Sequence, residues 1–152
     1  DSDIAFAVTD NLTLFASFAW NDTEMTSVAN DIFEPSNIAP AGSSLAFAPE
    51  LQYVLRGRYT WQFGDYDAHA QLAFQHADES ENSIVLSQQA KIPSWDTVDA
   101  TFGFGKDNYG VEFFVNNLTD ERVIRFVRAN GATPEQFVTR PRTMGLRFTY
   151  DY

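Results

Sequence analysis

The stretch "LQYVLRGRYTWQF", residues 51–63, sorts its side chains by parity. Leu51, Tyr53, Leu55, Gly57, Tyr59, Trp61 and Phe63 form one set, and Gln52, Val54, Arg56, Arg58, Thr60 and Gln62 the other. Successive side chains of an extended chain point to opposite faces, so a period of two means a strand; a helix would scatter both sets around its axis. The same sorting recurs in Leu12, Leu14, Ala16, Phe18 and Trp20, where Phe15 interrupts the polar face, and in Ala68, Ala70, Leu72 and Phe74. It returns in Val98, Ala100, Phe102 and Phe104, and in Tyr109, Val111, Phe113 and Val115. Ile4, Phe6 and Val8 open the series, and Met144, Leu146, Phe148, Tyr150 and Tyr152 close it, so seven strands are predicted. No segment with a 3.6-residue period competes; residues 25–40 and 120–138 are expected to hold a short helical turn each at most.

The connections carry equal weight. "TDN", "GDYD" and "GKDN" are tight-turn chemistry, whereas about 25 residues (24–49), about 16 (78–94) and about 22 (118–140) separate the alternate pairs. Short turns therefore fall at one end of a meander and long loops at the other. That asymmetry, with strands of eleven to thirteen residues at 12–22 and 51–63, is expected of an antiparallel transmembrane β-barrel rather than a soluble sheet. A strand of that length, tilted near 45°, crosses a hydrocarbon layer. Large aromatics sit at the predicted strand ends: Trp61, Phe63, Phe104, Tyr109, Tyr150 and Tyr152 by the short turns, Trp20 and Trp95 by the long loops, which predicts two interfacial girdles. The opposite parity carries Gln52, Arg56, Arg58, Thr60, His69, Gln71, Gln75, Asp99, Glu112, Arg147 and Asp151, which a barrel turns toward its lumen.

Composition removes several function classes. Ten Lys and Arg against 21 Asp and Glu give a net charge of -11, the wrong sign for a phosphate backbone, so nucleic acid is not an expected partner. Cysteine is absent, which excludes disulfides and thiolate chemistry. No basic and apolar leader opens the chain, so a signal peptide is expected to lie upstream if the protein is exported. No enzyme constellation is present. His69 and His76 are seven apart and fall on opposite faces of one predicted strand, so no shared metal is expected, and no cofactor motif is found. "GFGKDNYG" has the glycines of a phosphate loop, but no helix follows to supply a dipole, and a hairpin turn accounts for it better.

"FFVNNLTDERV" and, some twenty residues later, "RPRTMGLRFTYDY" resemble the C-terminal end of the TonB-dependent outer-membrane receptors. The matching positions are Asn117, Leu118, Thr119 and Asp120, then Pro141, Arg142, Thr143 and Gly145; Ala48, Pro49 and Glu50 are similar to the family's hairpin start. The resemblance implies that residues 1–152 are the C-terminal portion of a barrel of about 22 strands, its plug domain and earlier strands lying outside this sequence. It implies a Gram-negative outer membrane with lipid and lipopolysaccharide around the barrel, TonB contact through the missing N-terminal region, and a closing strand whose Phe148, Tyr150 and Tyr152 are read by the barrel-assembly machinery. It also implies active uptake of a scarce nutrient, a ferric siderophore or other iron chelate being the expected ligand.

Six of the ten basic residues, Arg122, Arg125, Arg128, Arg140, Arg142 and Arg147, fall within 26 positions. Two roles are open to them. Arg142 and Arg147 can pair with lumen or plug carboxylates while the loop arginines meet lipopolysaccharide phosphates. Alternatively Arg125 and Arg128, with Phe126 between them and Phe137 nearby, form part of an entrance site for an anionic iron chelate. A second architecture also fits the strand count: a self-contained eight-stranded barrel with an adhesion or structural role. Its interior would be poorly filled by Gly103, Gly110 and Gly145.

Overall fold

The computed structural model describes residues 1–30, 38–128, 133 and 135–152. Among these residues thirteen strands run in chain order: β1 Ser2–Ala7, β2 Leu12–Trp20, β3 Ala29–Asn30, β4 Ile38–Ala39, β5 Leu51–Phe63, β6 Tyr66–Ala77, β7 Ser80–Glu81, β8 Lys91–Ile92, β9 Trp95–Lys106, β10 Tyr109–Asn116, β11 Ile124–Arg128, β12 Glu135–Val138 and β13 Thr143–Tyr150. Seven of them form one antiparallel meander in the order β1-β2-β5-β6-β9-β10-β13, the seven predicted strands. The sheet does not close on itself: β1 and β13 are its edges.

The register confirms the two faces. Leu55 lies opposite Ala16 and Phe74, and Trp61 opposite Ala68, which in turn faces Phe104. On the other side Arg56 lies opposite Phe15 and Ala73, and Glu112 opposite Gly103 and Arg147. Directly opposed residues share a face, so the apolar rows are continuous across the sheet. The row is also unburied, with Leu55 at 48%, Leu72 at 59% and Phe148 at 72% exposure. A soluble sheet would bury these side chains; a wall whose solvent is lipid leaves them outward. At 13, 12 and 12 residues β5, β6 and β9 are long enough to cross, tilted, the roughly 25 Å apolar band of such barrels. Phe15, the exception on the polar face, is covered by the Arg56 guanidinium 5.3 Å from its ring centroid.

Turn chemistry sets the hairpins. Gly64 takes φ 60° at the first central position of the β5–β6 turn, where a II′-type hairpin demands a positive φ, and Asp107 takes φ 52° at the corresponding place between β9 and β10. The three long connections lie at the opposite end, and each carries a short strand pair. In the 120–138 segment, predicted to hold at most a helical turn and with 129–132 and 134 outside the described residues, β11 pairs with β12; the 25–40 segment, of which 31–37 lie outside the described residues, pairs β3 with β4. A 3-10 turn, Leu86–Gln88, sits in the middle loop. Val123, 1% exposed, lies here, and Ala39, Ile92 and Val127 of the loops are also buried; in the wall the buried apolar side chains are Ala68, Ala73, Ala77 and Val115.

On the β10 side the ladder of β13 ends at Tyr150 opposite Tyr109, followed by one bond from Asp151 N–H to the Asn108 carbonyl. The β9–β10 turn begins beyond Tyr109, so on this side the apolar row expected to run in register to Tyr152 stops two residues earlier, and Tyr152 is fully exposed.

Candidate functional site

Three features of the long-loop end combine into a site. The first is the interlock of the loops. Phe47, at φ 56°, stacks on Phe126 at 5.9 Å, and Phe126 meets Phe137 edge-on at 5.7 Å. Asn82 donates through Nδ2 to the Val127 and Gln88 carbonyls, at 2.6 and 3.1 Å, and accepts from Ala90 N–H at 2.6 Å. Loops from three parts of the sequence are thereby joined at specific atoms.

The second is the Asn-Leu-Thr-Asp stretch, which pins the neck of the last loop. Asn117 is buried at φ 54°, a conformation asparagine tolerates better than most residues. Its Nδ2 donates to the Glu121 carbonyl at 2.8 Å and the Arg140 carbonyl at 3.3 Å, its Oδ1 accepts from Glu121 N–H at 2.9 Å, and its own N–H reaches Asp99. Asp120, at φ 58°, accepts from Arg142 N–H at 2.8 Å, and the Arg142 side chain donates back to the Leu118 carbonyl. Thr143 Oγ1 donates to the Pro141 carbonyl. Thr119 is exposed. Gly145 gives room to Phe114, whose ring would lie 2.8 Å from a Cβ there. These contacts join the two ends of the loop across more than twenty residues.

The third feature is Arg125. Its guanidinium stacks 3.8 Å from the Trp95 ring centroid, and among the described residues no carboxylate or carbonyl meets it. Desolvation lowers its pKa from the ordinary guanidinium value, but a guanidinium starts so high that the charge remains. Trp95 was expected in the outer girdle with Trp20. It instead opposes Ala77, sharing parity with Thr97 and Asp99, and so projects to the polar face. Its aromatic surface there forms the seat for Arg125. The pair borders a cavity of about 450 Å³ that Asp3, Ser17, Gln52 and Gln75 also line.

The other residues of the proposed entrance site go elsewhere. Arg128 lies across the ribbon from Glu135, with an Nη1–Oε2 distance of 3.1 Å, while Phe126 and Phe137 pack into the loop interlock. Arg125 is thus separated from the arginine it was grouped with. Arg147 meets a carboxylate of the polar face, one of the two roles open to it: its Nη1 donates to Glu112 Oε1 nearer the short turns, and His69 Nε2 is 3.2 Å from Glu112 Oε2. His76 is on the other face, held between Asp96 and Asp78, as the parity of the two histidines required.

A tilted antiparallel wall with one lipid-type face, one polar face, tight turns at one end and interlocked loops at the other defines a membrane-spanning β-barrel segment. The TonB dependent receptor-like β-barrel family matches residues 3–118, and the chain belongs to that family, one of receptors and transporters rather than enzymes. The match ends at Leu118, so the remaining motif residues lie outside it. The structure is similar to the crystal structure of the siderophore receptor PiuA from Acinetobacter baumannii, with a TM-score of 0.78 and 16% identity over 99% of this chain. The chain spans 21% of that receptor's length. No curated protein matches this chain.

Proposed function

We propose that this chain is the C-terminal barrel portion of an outer-membrane receptor that captures an anionic iron chelate of the siderophore type and imports it with energy drawn through TonB. In that reading the long loops face the cell exterior, the short turns the periplasm, and the surroundings are lipid and lipopolysaccharide of a Gram-negative outer membrane. The observation that carries it is the Arg125–Trp95 stack: a charged guanidinium without a carboxylate partner among the described residues, held over the polar face beside an open cavity. A cation so placed has its N–H groups free for an anion, and the indole offers a flat surface to a planar chelating group. Arg128 is already paired with Glu135 and contributes little. The siderophore receptor of similar fold supports the ligand class, and the family supports the energy source.

The test uses the full-length receptor in cells starved of iron, offered catecholate, hydroxamate and carboxylate ferric siderophores one at a time. One of these chelates should support growth only when the receptor is present. Arg125→Gln should raise the Kd for that chelate about tenfold and flatten its salt dependence, with normal receptor levels. Receptor-independent growth on all three would overturn the ligand class; unchanged affinity in the Gln variant would remove Arg125 from the site.

A further inference from the structure

We propose that the outer face of β5, β6 and β9 carries a phospholipid site: a walled slot for the upper part of one acyl chain, with a headgroup joining phosphate to ammonium held by Lys106 and Asp65 at its mouth. The slot is a cavity of about 440 Å³ lined by Trp61, Phe63, Tyr66, Ala68, Phe102 and Phe104. Its form follows from register. Ala68 lies directly between Trp61 and Phe104, so one rung of the sheet reads large, small, large, and the alanine, 6% exposed, is the floor. Trp61 leans to Phe102 with ring centroids 5.9 Å apart and bounds the slot toward mid-strand, while Tyr66 meets Phe104 edge-on at 6.3 Å toward the turn. All the lining residues belong to the three central strands of the sheet, whose neighbours on both sides are in place.

An apolar hollow facing hydrocarbon fills with acyl chain, because an empty one forfeits dispersion contacts on every wall. Bulk lipid can fill any such hollow; the charges at this one select an occupant. Lys106 has the parity of Phe102 and Phe104, so it projects on the outer face, its Nζ 5.4 Å from the Tyr66 ring centroid and 2.8 Å from Asp65 Oδ2. A lysine at the edge of a hydrocarbon layer extends its ammonium toward phosphates. With Asp65 alongside and Asp107 next in the turn, carboxylates outnumber the cation, so a headgroup bearing its own ammonium complements this mouth and a purely anionic one does not. The site rests on the outward orientation of the Leu55–Trp61 parity, which arginine substitution at Leu55 tests separately.

The experiment takes the full-length receptor, reconstituted in equal phosphatidylethanolamine and phosphatidylglycerol of matched chains, then washed with detergent and weighed by native mass spectrometry. The wild type should retain phosphatidylethanolamine. Ala68→Leu, which raises the floor, should lower retention about tenfold, and Asp65→Asn, which removes the carboxylate that receives the headgroup ammonium, should abolish the preference between the two lipids. Should Ala68→Leu fail to give heat-modifiable folded protein, Phe104→Leu, which removes a wall, should give the same loss. A wild type that retains neither lipid, or a slot variant that retains as much as the wild type, overturns the site; equal or stronger retention of phosphatidylglycerol by the wild type overturns the headgroup assignment.

Discussion

The His69 imidazole lies across the bare Cα of Gly103: a Cβ built there would sit 2.9 Å from His69 Nε2 and closer still to Cε1. The two residues oppose each other on β6 and β9, and the ring crosses β9 to reach Glu112 on β10. Gly110 makes the same room for Thr149, and Gly145 for Phe114. Small residues on the polar face thus let their large neighbours lie flat along the wall. An eight-stranded barrel needs side chains standing inward to fill it, whereas flat packing suits a wide lumen.

Gly103→Ala should therefore push the His69 ring off Glu112 and cost about 0.5–1.5 kcal/mol, the net worth of one hydrogen bond, since the colliding atoms end a side chain free to rotate. The check is a double-mutant cycle with His69→Ala, using urea unfolding of the full-length receptor from vesicles. A cost that persists undiminished without His69 would mean the glycine serves its own backbone.

The two parities of β5 should answer differently to charge. Leu55, mid-strand on the exposed apolar row, should lose about 2–4 kcal/mol on replacement by Arg, because the cation meets hydrocarbon. Thr60, opposite His69 on the polar face, should accept the same residue with little loss. Equal costs in vesicle unfolding at both positions would contradict the assignment of faces.

The wall was legible because period two survives in any window as long as a strand. Seven strands, their turns and both faces follow from it. Proximity to a loop points Trp95 to the girdle, but parity decides its face: Val98, Ala100 and Phe102 put the odd positions of β9 on the polar side. The loop ribbons are short, from two to five residues per strand, so no period can establish itself in them; their pairing depends on contacts such as Phe47 with Phe126. The His69, Glu112 and Arg147 network joins positions 43 and 35 residues apart; parity puts the three on one face, but which of them meet, and why Gly103 lies between, emerges only once register is known.

Asn117 should prove more costly to change than its size suggests. Asn117→Gly keeps access to φ 54° but removes three side-chain hydrogen bonds at the neck of the last loop, while Asn117→Ala adds strain to the same loss. Both variants should speed amide exchange at Glu121 and around Arg140, the Ala form also losing about 1 kcal/mol more in global stability. Exchange as slow as in the wild type would deny the clamp.

Tyr150 and Tyr152 share a parity but not a fate, and the contrast separates folding from assembly. Tyr150 closes the ladder, its ring 4.9 Å from that of Tyr109, whereas Tyr152 is fully exposed beyond the last backbone bond. Tyr150→Asp should weaken the folded barrel itself, because it removes an interfacial aromatic pair and places a carboxylate in the girdle. Tyr152→Asp should leave the unfolding free energy of whatever barrel does form close to that of the wild type. If the terminal aromatic is nevertheless read during insertion, that variant should be depleted from outer-membrane fractions, with Tyr152→Phe at normal levels. The measurements are heat-modifiable mobility for the amount of folded receptor and urea titration for its stability. Equal amounts of the Asp and Phe variants would end the idea that Tyr152 is a signal, and a lower unfolding free energy for Tyr152→Asp would show that it is held after all.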